Sequence, residues 1–284
     1  MNRVEQADSG RPSEIPQEIE SLLKSVEQAS RALLMLDYDG TLAPFRKQRN
    51  QAFPYPGVAS VLQKIVRGGH TRVVIVSGRD TGETLGLLGI DPCPELWGLH
   101  GLQRREPDGT QHNVPVEGRV LDALLDAERW LSYQQLQHTA EFKTGSIAVH
   151  WRGLNKLEAE EIRSRALLGW RPIAKRSTLE LLDFDCGLEI RMPKPNKGDV
   201  VRVLLEEMGS GTPAAYLGDD STDERAFLSI RGSGLGILVH PTGRTTAAEA
   251  WLKSSAELQD FLERWLNATE RWNAAGESAA AGGC

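Results

Sequence analysis

The sequence predicts an α/β protein: a Rossmann-like core built on a parallel sheet, interrupted by an inserted α+β domain. Three observations predict it. Short, wholly apolar runs such as Ala32-Leu33-Leu34-Met35-Leu36 and Val73-Val74-Ile75-Val76 read as strands buried on both faces, as in a parallel sheet. Segments of helical periodicity separate them, so strand and helix alternate. The alternation breaks in mid-chain, where long helices and hairpin-like strands follow one another, and then resumes.

The elements follow in order. Residues 1–30 are expected to form an N-terminal tail and a helix, with polar Met1 to Ser13 frayed. The strand through Leu36 ends in a carboxylate, Asp37. Val58, Val61, Leu62, Ile65 and Val66 recur on one helical face, and Gly68-Gly69 stops that helix. After Val76, Asp80 is placed to cap a helix running towards Leu88. Pro107-Asp108-Gly109-Thr110 is a turn. Val120–Leu136 and Asn155–Leu168 are helical. Ser146–Trp151 alternates as a strand, with Ile147 and Val149 on one face and Ala148 and His150 on the other. Leu179–Asp183 and Leu188–Met192 are two strands joined through Asp185-Cys186-Gly187. These place the insertion at 106–190, between core segments 31–105 and 191–273. In the second segment Val200, Val201, Leu204, Leu205 and Met208 mark a helix, Ala214–Leu217 a strand and Ser221 a helix start. Gly236–Val239 is another strand, and Leu258, Phe261, Leu262, Trp265 and Leu266 form a closing amphipathic helix. Residues 274–284, rich in Ala, Gly and Ser, are expected to be a disordered tail.

Composition narrows the function classes. With 284 residues, 40% hydrophobic and 25% charged, the chain is an ordinary globular protein of one large or two modest domains. A net charge of −6 argues against a nucleic-acid binder. No apolar run approaches the length of a bilayer span, and the start lacks a secretory signal, so no membrane association is expected. Cys93, Cys186 and Cys284 form an odd, sparse set without metal-clip spacing, which fits reduced thiols in the cytoplasm. Without a secretion signal, Asn267-Ala268-Thr269 reads as a chance glycosylation pattern.

Four constellations carry chemistry, and each follows a strand or opens a helix. Asp37-Tyr38-Asp39-Gly40 places two carboxylates at the carboxyl end of a buried strand, where open parallel sheets bind ligands. Ser77-Gly78-Arg79 forms a strand-to-helix turn whose free N–H groups suit an anion, although Ser77 could equally serve as a cap. Lys197 opens the helix after Pro193 and Pro195, an unfavourable end of the helix dipole for a cation, and it can reach an anion at the sheet edge. Gly218-Asp219-Asp220-Ser221-Thr222-Asp223-Glu224 crowds carboxylates at a strand end. Ser221 and Glu224 fit a capping box, which leaves Asp219, Asp220 and Asp223 to be compensated by a cation such as Mg²⁺.

Together these segments resemble the four motifs of the haloacid dehalogenase-like phosphohydrolases. Within that superfamily, the stretches from Leu36 to Leu42, Ser77 to Arg79, His100-Gly101 and Gly218 to Glu224 resemble the trehalose-6-phosphate phosphatases, from about Leu33 to the final helix. The resemblance implies Mg²⁺-dependent hydrolysis of trehalose 6-phosphate, a small sugar-phosphate substrate. In that scheme Asp37 is the nucleophile, Asp39 the general acid and then base, and Ser77 a phosphoryl hydrogen-bond donor. Lys197 neutralises phosphate and nucleophile. Asp219 ligates the metal with Asp37 and the backbone carbonyl of Asp39, and Asp223 supports it. Arg79 counts among the substrate-binding candidates.

For Asp39 to act as an acid near neutral pH, its pKa is expected to be raised by neighbouring carboxylates and partial burial. The insertion resembles the family's cap. There His150 and Arg152, or Glu189 and Arg191, are candidates to touch the sugar, and His100 and Gly101 lie near the cleft. Trp151, where Tyr or Phe is commoner, and the approach Met192–Lys197 depart from the family pattern. The remaining length holds no synthase-like domain, so a stand-alone, monomeric phosphatase is expected. Other readings are a phosphatase of sucrose phosphate or of a glucosylated polyol phosphate, and a non-catalytic sugar-phosphate sensor; the sensor predicts loss of Asp37 or Asp39, and both are present. Gly232-Ser233-Gly234-Leu235-Gly236 precedes a strand and lacks the final glycine spacing, which excludes a dinucleotide-binding oxidoreductase.

Overall fold

The computed structural model describes residues 16–46 and 48–281. In chain order the elements are α1 (Gln17–Gln28), β1 (Ala32–Leu36), α2 (Val58–Gly68), β2 (Thr71–Val76), α3 (Thr81–Leu88), β3 (Glu95–Gly98), β4 (Gln103–Arg105), β5 (Gln111–Asn113), α4 (Gly118–Tyr133), β6 (Ala140–Lys143), β7 (Ser146–His150), α5 (Lys156–Arg176), β8 (Glu180–Phe184), β9 (Gly187–Arg191), α6 (Lys197–Met208), β10 (Ala214–Gly218), α7 (Glu224–Ile230), β11 (Leu235–Val239), β12 (Ala250–Leu252) and α8 (Ser255–Ala281). The first sheet has the order β12-β11-β10-β1-β2-β3-β4-β5, parallel from β12 to β3 and antiparallel beyond. The second has the order β6-β7-β9-β8 and is antiparallel throughout.

The apolar strand runs are explained by helices on both faces of the large sheet. In β1, Leu34 and Leu36 pack with Ile19, Val26, Leu62 and Trp265 from α1, α2 and α8. Leu33 and Met35 point the other way, into Val201, Leu204 and Phe227 from α6 and α7. Each such aliphatic side chain, fully buried, contributes about 1.5–3 kcal/mol. The insertion has a separate core, in which α4 and α5 cover Ile147, Val149, Leu188 and Ile190 on one face of the small sheet. The opposite face, polar, turns towards the large sheet and the cavity between them.

Four sequence expectations change. The insertion begins after Asn113, not at residue 106, because β4 and β5 extend the large sheet and the Pro107–Thr110 turn is the tip of their hairpin. At its far end, β9 carries the small sheet to Arg191, one residue beyond the expected edge at 190. Helix α5 continues past Leu168 to Arg176, because Ile162, Ala166, Trp170 and Ile173 keep one apolar stripe. Helix α8 runs to Ala281, through residues read as a disordered tail. Met1 to Ser13, Cys284 and its two preceding glycines lie outside the described residues. Among those described, no helix is long and apolar enough to cross a membrane.

Candidate active site

Strands β1 and β10 run side by side with Leu36 opposite Leu217, so Asp37 and Asp219 leave the same edge of the sheet together. Lys197 reaches them from the first turn of α6. Asn196 caps that helix by accepting from the backbone N–H groups of Gly198 (3.0 Å) and Asp199 (3.3 Å), and Asp199 returns a bond to the Asn196 N–H at 3.0 Å. The Lys197 side chain is buried, and its Nζ donates to Asp37 Oδ1 at 2.6 Å and to Asp223 Oδ1 at 2.7 Å. Burial alone would discharge this amine. Asp223 and Asp37 outweigh burial and hold it well above the usual lysine value.

Asp223 stands behind the other two carboxylates, its oxygens taken by protein donors. Its Oδ1 accepts from Lys197 and from Tyr216 OH (2.6 Å), and its Oδ2 from the backbone N–H groups of Asp219 and Asp220, both at 3.1 Å. A carboxylate has about four acceptor sites, and these four donors use them. Asp223 therefore braces the lysine and the acidic loop from behind. The capping box here is made by Asp220 and Asp223, not Ser221 and Glu224. Ser221 Oγ instead donates to Asp183 O in the insertion at 2.8 Å, and Glu224 pairs with Arg244. Arg244 also donates to the backbone carbonyls of Asp219 (3.1 Å) and Asp220 (2.9 Å), which fixes the loop.

Asp37 and Asp219 are left facing the cavity. Burial, foremost, pushes Asp37 up to about 7 against the pull of Lys197, with Asp223 and Asp39 adding to the rise. Burial together with Asp37 and Asp223 raises Asp219 well above the carboxylate range. The Thr41 hydroxyl lies 3.4 Å from both Asp37 Oδ2 and Asp219 Oδ1, and its single proton serves one at a time. Ligand oxygens of Asp37, Asp219 and Asp223 fall within 4.8 Å of one another. Two buried, under-satisfied carboxylates with converging oxygens suit a divalent cation. Gly40, at φ +86°, makes this approach possible, since a Cβ there would lie 2.0 Å from Asp219 Oδ2.

Asp39 sits at the mouth of the site. Its carboxylate is gripped in a bidentate pair by Arg79, with Nε to Oδ2 and Nη2 to Oδ1 both at 2.6 Å. Its nearest charged partner is thus a cation, not the carboxylates on which the sequence reading relied. Arg79 lines the cavity, but its guanidinium is spent on Asp39 and Glu83. Ser77 is buried at the end of β2, where its Oγ accepts from the Arg79 N–H at 3.1 Å. The helix cap itself is Asp80, as the sequence predicts.

On the cavity side of the small sheet, strand register aligns side chains in three rows, of which Glu141, Lys143, His150, Phe184 and Glu189 line the cavity. One holds His150, Gly187 and Phe184; the next Glu141, Ala148 and Glu189; the third Lys143, Ser146, Arg191 and Glu180. His150 Nε2 is 3.0 Å from Glu141 Oε2, and Ser146 Oγ donates to Glu189 Oε1 at 2.7 Å. Arg152 lies over the Phe45 ring at 4.3 Å and pairs with Asp185 at 2.8 Å, at the cavity rim. His100, Glu189, His150 and Arg152 line the same cavity as Asp37 and Lys197.

Four sequence candidates do not line it: Ser77 and Asp223, buried as described above, and Gly101 and Arg191. Gly101 lies behind His100 against Val200 and Pro195, and Arg191 sits behind Glu189, paired with Glu180 at 3.1 Å. Glu141, Lys143 and Phe45 line the cavity and were missed by sequence reasoning. The usable signal was Glu141 and Lys143 two apart, beside a strand already identified.

Burial, and then Arg191, Lys143 and Lys197, hold the His100 ring well below its usual value, so it stays neutral. As pH falls through about 6.5 the unfolded chain takes a proton that the folded ring refuses, and stability is lost. His100→Gln is expected to reduce the stability lost between pH 7 and pH 5 by about 2 kcal/mol, measured by urea unfolding. An equal loss in both proteins would contradict a neutral, buried His100.

Comparison with known proteins places the chain in a family. A family model described as trehalose-phosphatase matches residues 35–255. A trehalose-phosphate phosphatase of Mycobacterium leprae is 28% identical over 282 residues, covering 89% of this chain and 62% of that protein. One of Mycobacterium avium is 30% identical over 262 residues, covering 84% and 63%. The chain thus spans less than two thirds of the length of these relatives. Among solved structures, the Aspergillus fumigatus trehalose-6-phosphate phosphatase aligns at TM-score 0.62 and 26% identity, covering 88% of this chain and 98% of that one. The C-terminal domain of the Candida albicans trehalose-6-phosphate phosphatase shares the fold at TM-score 0.77 and 20% identity, with coverage of 88% and 96%.

Proposed function

The chain belongs to the trehalose-phosphatase family, and from that premise we propose that it hydrolyses trehalose 6-phosphate to trehalose and phosphate, with Mg²⁺, through an aspartyl-phosphate on Asp37. One observation carries the reading. The same cavity has a buried carboxylate gripped by a buried lysine at one end and a polar sheet face from the insertion at the other. The first end suits a phosphoryl group and the second a sugar.

In this reading Asp37 attacks phosphorus, a carboxylate O–P bond forms, and the bond from phosphorus to the sugar oxygen breaks. Asp39 enters this step protonated, its pair with Arg79 opened, and gives that oxygen its proton. It then takes a proton from the water that attacks the phosphoaspartate, which releases phosphate and restores Asp37. Lys197 places its charge against the nucleophile and the phosphoryl oxygens, and Ser77 Oγ–H donates to one of them. Asp37, Asp219 and the Asp39 carbonyl would hold Mg²⁺, with Asp223 behind. Such an ion would supply positive charge against the repulsion between carboxylate and phosphate dianion. His150, Glu141, Lys143 and Glu189 offer hydrogen-bonding groups to sugar hydroxyls. The free thiols of Cys93 and Cys186 fit a reducing cytoplasm.

Phosphate release from a panel of trehalose 6-phosphate, sucrose 6-phosphate and a glucosylglycerol phosphate tests this. Trehalose 6-phosphate is expected to give the highest kcat/KM, EDTA to abolish turnover and added Mg²⁺ to restore it. A better substrate elsewhere in the panel overturns the sugar assignment, and full activity in EDTA overturns the metal.

A further inference from the structure

A chain of ion pairs runs from Asp39 in the core to the polar face of the insertion, and it crosses between them at Arg49. Arg79, which grips Asp39, also pairs with Glu83 of α3 and donates to the backbone carbonyl of Arg49 at 3.0 Å. Arg49 stands on a single helical turn, Arg49–Gln51, and its side chain is only about a third exposed, at 34%. Its Nη2 is 3.1 Å from Glu83 on the core side, and its Nη1 pairs with Glu141 of β6 on the insertion side. Glu141 in turn holds Lys143 at 3.3 Å and His150 at 3.0 Å, and Lys143 lies 3.8 Å from Glu189.

A planar guanidinium with two donor edges suits this position, since it can hold a carboxylate on each side of a cleft at once; an ammonium is a single point charge. Glu141 needs such a partner. It lies on the edge strand of the small sheet, bonded to a neighbour on one side only. Without Arg49, its carboxylate would answer to Lys143 and His150 alone, and nothing in this ion chain would tie the insertion to the residues around Asp39.

We propose that Arg49 is a positioning residue that selects for sugar-bearing phosphates: by pairing with Glu83 and Glu141 together, it fixes the polar face of the insertion over the reacting carboxylates. This rests on the site being a sugar-phosphate phosphatase. Arg49 then serves a substrate long enough to reach the insertion, and a small ester that occupies only the phosphoryl end gains nothing from it.

The test compares Arg49→Gln and Arg49→Lys with the wild type on trehalose 6-phosphate and on p-nitrophenyl phosphate, both with Mg²⁺. Arg49→Gln is expected to lower kcat/KM for the sugar phosphate at least tenfold, chiefly through KM, and to change p-nitrophenyl phosphate hydrolysis less than threefold. Arg49→Lys is expected to recover part of the loss. Hydrogen–deuterium exchange on the metal-free proteins supplies a readout independent of substrate, and backbone amides of residues 140–143 are expected to exchange faster in Arg49→Gln. Equal losses on both substrates would mean that Arg49 acts on Asp39 through Arg79, which overturns the proposal, as would unchanged exchange in β6. If the wild type hydrolyses the small ester but not trehalose 6-phosphate, the substrate assignment fails, and the exchange result alone decides the role of Arg49.

Discussion

Asp37→Asn is expected to lower phosphate release by at least about a thousandfold, because an amide cannot form the phosphoryl intermediate and no neighbouring group replaces it. Lys197 holds the nucleophile, Asp223 is taken up by four donors, and Asp39 is tied to Arg79. The fold is expected to survive. Asn has the same shape, accepts a hydrogen bond from Lys197 and removes a buried negative charge that burial already pushes up to about 7. Unfolding free energy in EDTA should therefore stay within about 1 kcal/mol of the wild type. Turnover retained within tenfold in a folded variant would remove Asp37 from the nucleophile's role.

Lys197→Met is the second large effect, and it acts on stability as well as rate. Turnover is expected to fall by about a hundredfold to a thousandfold, the range for losing one preorganised charge at a reacting centre. Stability is expected to fall by about 3–5 kcal/mol, the cost of leaving one side of a buried ion pair unpaired. The unpaired partner is Asp37, since Asp223 keeps Tyr216 and two backbone N–H donors. The sign of the pH dependence follows from this. A carboxyl group raised in the folded state binds its proton more readily there than in the unfolded chain, so protonation stabilises the fold. In EDTA, the stability deficit of Lys197→Met should shrink as pH falls from 8 to 6. A deficit that does not change with pH would mean that Lys197 compensates something other than buried acid.

The parts of this molecule that were legible in the sequence share one physical property: burial decides what they look like. Strands β1, β2 and β10 are covered on both faces, so each is an unbroken apolar run, and the functional side chains follow directly at their ends. Strand β6 was not legible, because its pattern is inverted. Glu141 and Lys143 point into the cavity, while Phe142 is 48% exposed, so polarity assigns the wrong side. The β4–β5 hairpin has no apolar signature at all, since Gln111, His112 and Asn113 are all exposed, and the edge of the insertion was misplaced accordingly. The motifs located Asp39, Arg79 and Asp223, but which charge each meets is a matter of three-dimensional packing. Spacing along the chain could not tell that Arg79 would grip Asp39, or that Asp223 would be used up by four donors.

The sheet order has a consequence for how the protein is made. Strand β1 takes its neighbours from opposite ends of the sequence: Leu34 lies beside Val73 on one side and beside Ala215 on the other. As the chain leaves the ribosome, the first half can zip β1 to β2 early, but the flank that will receive β10 stays open through synthesis of the whole insertion. Non-local parallel pairing of this kind is slow and leaves a strand edge exposed to other chains. The small α+β unit, closed by local hairpins and two helices, has what it needs to fold first. In the nascent protein the polar face of the insertion can thus stand complete before the carboxylate end of the cavity, and Asp37 waits for both Lys197 and Asp219 to emerge.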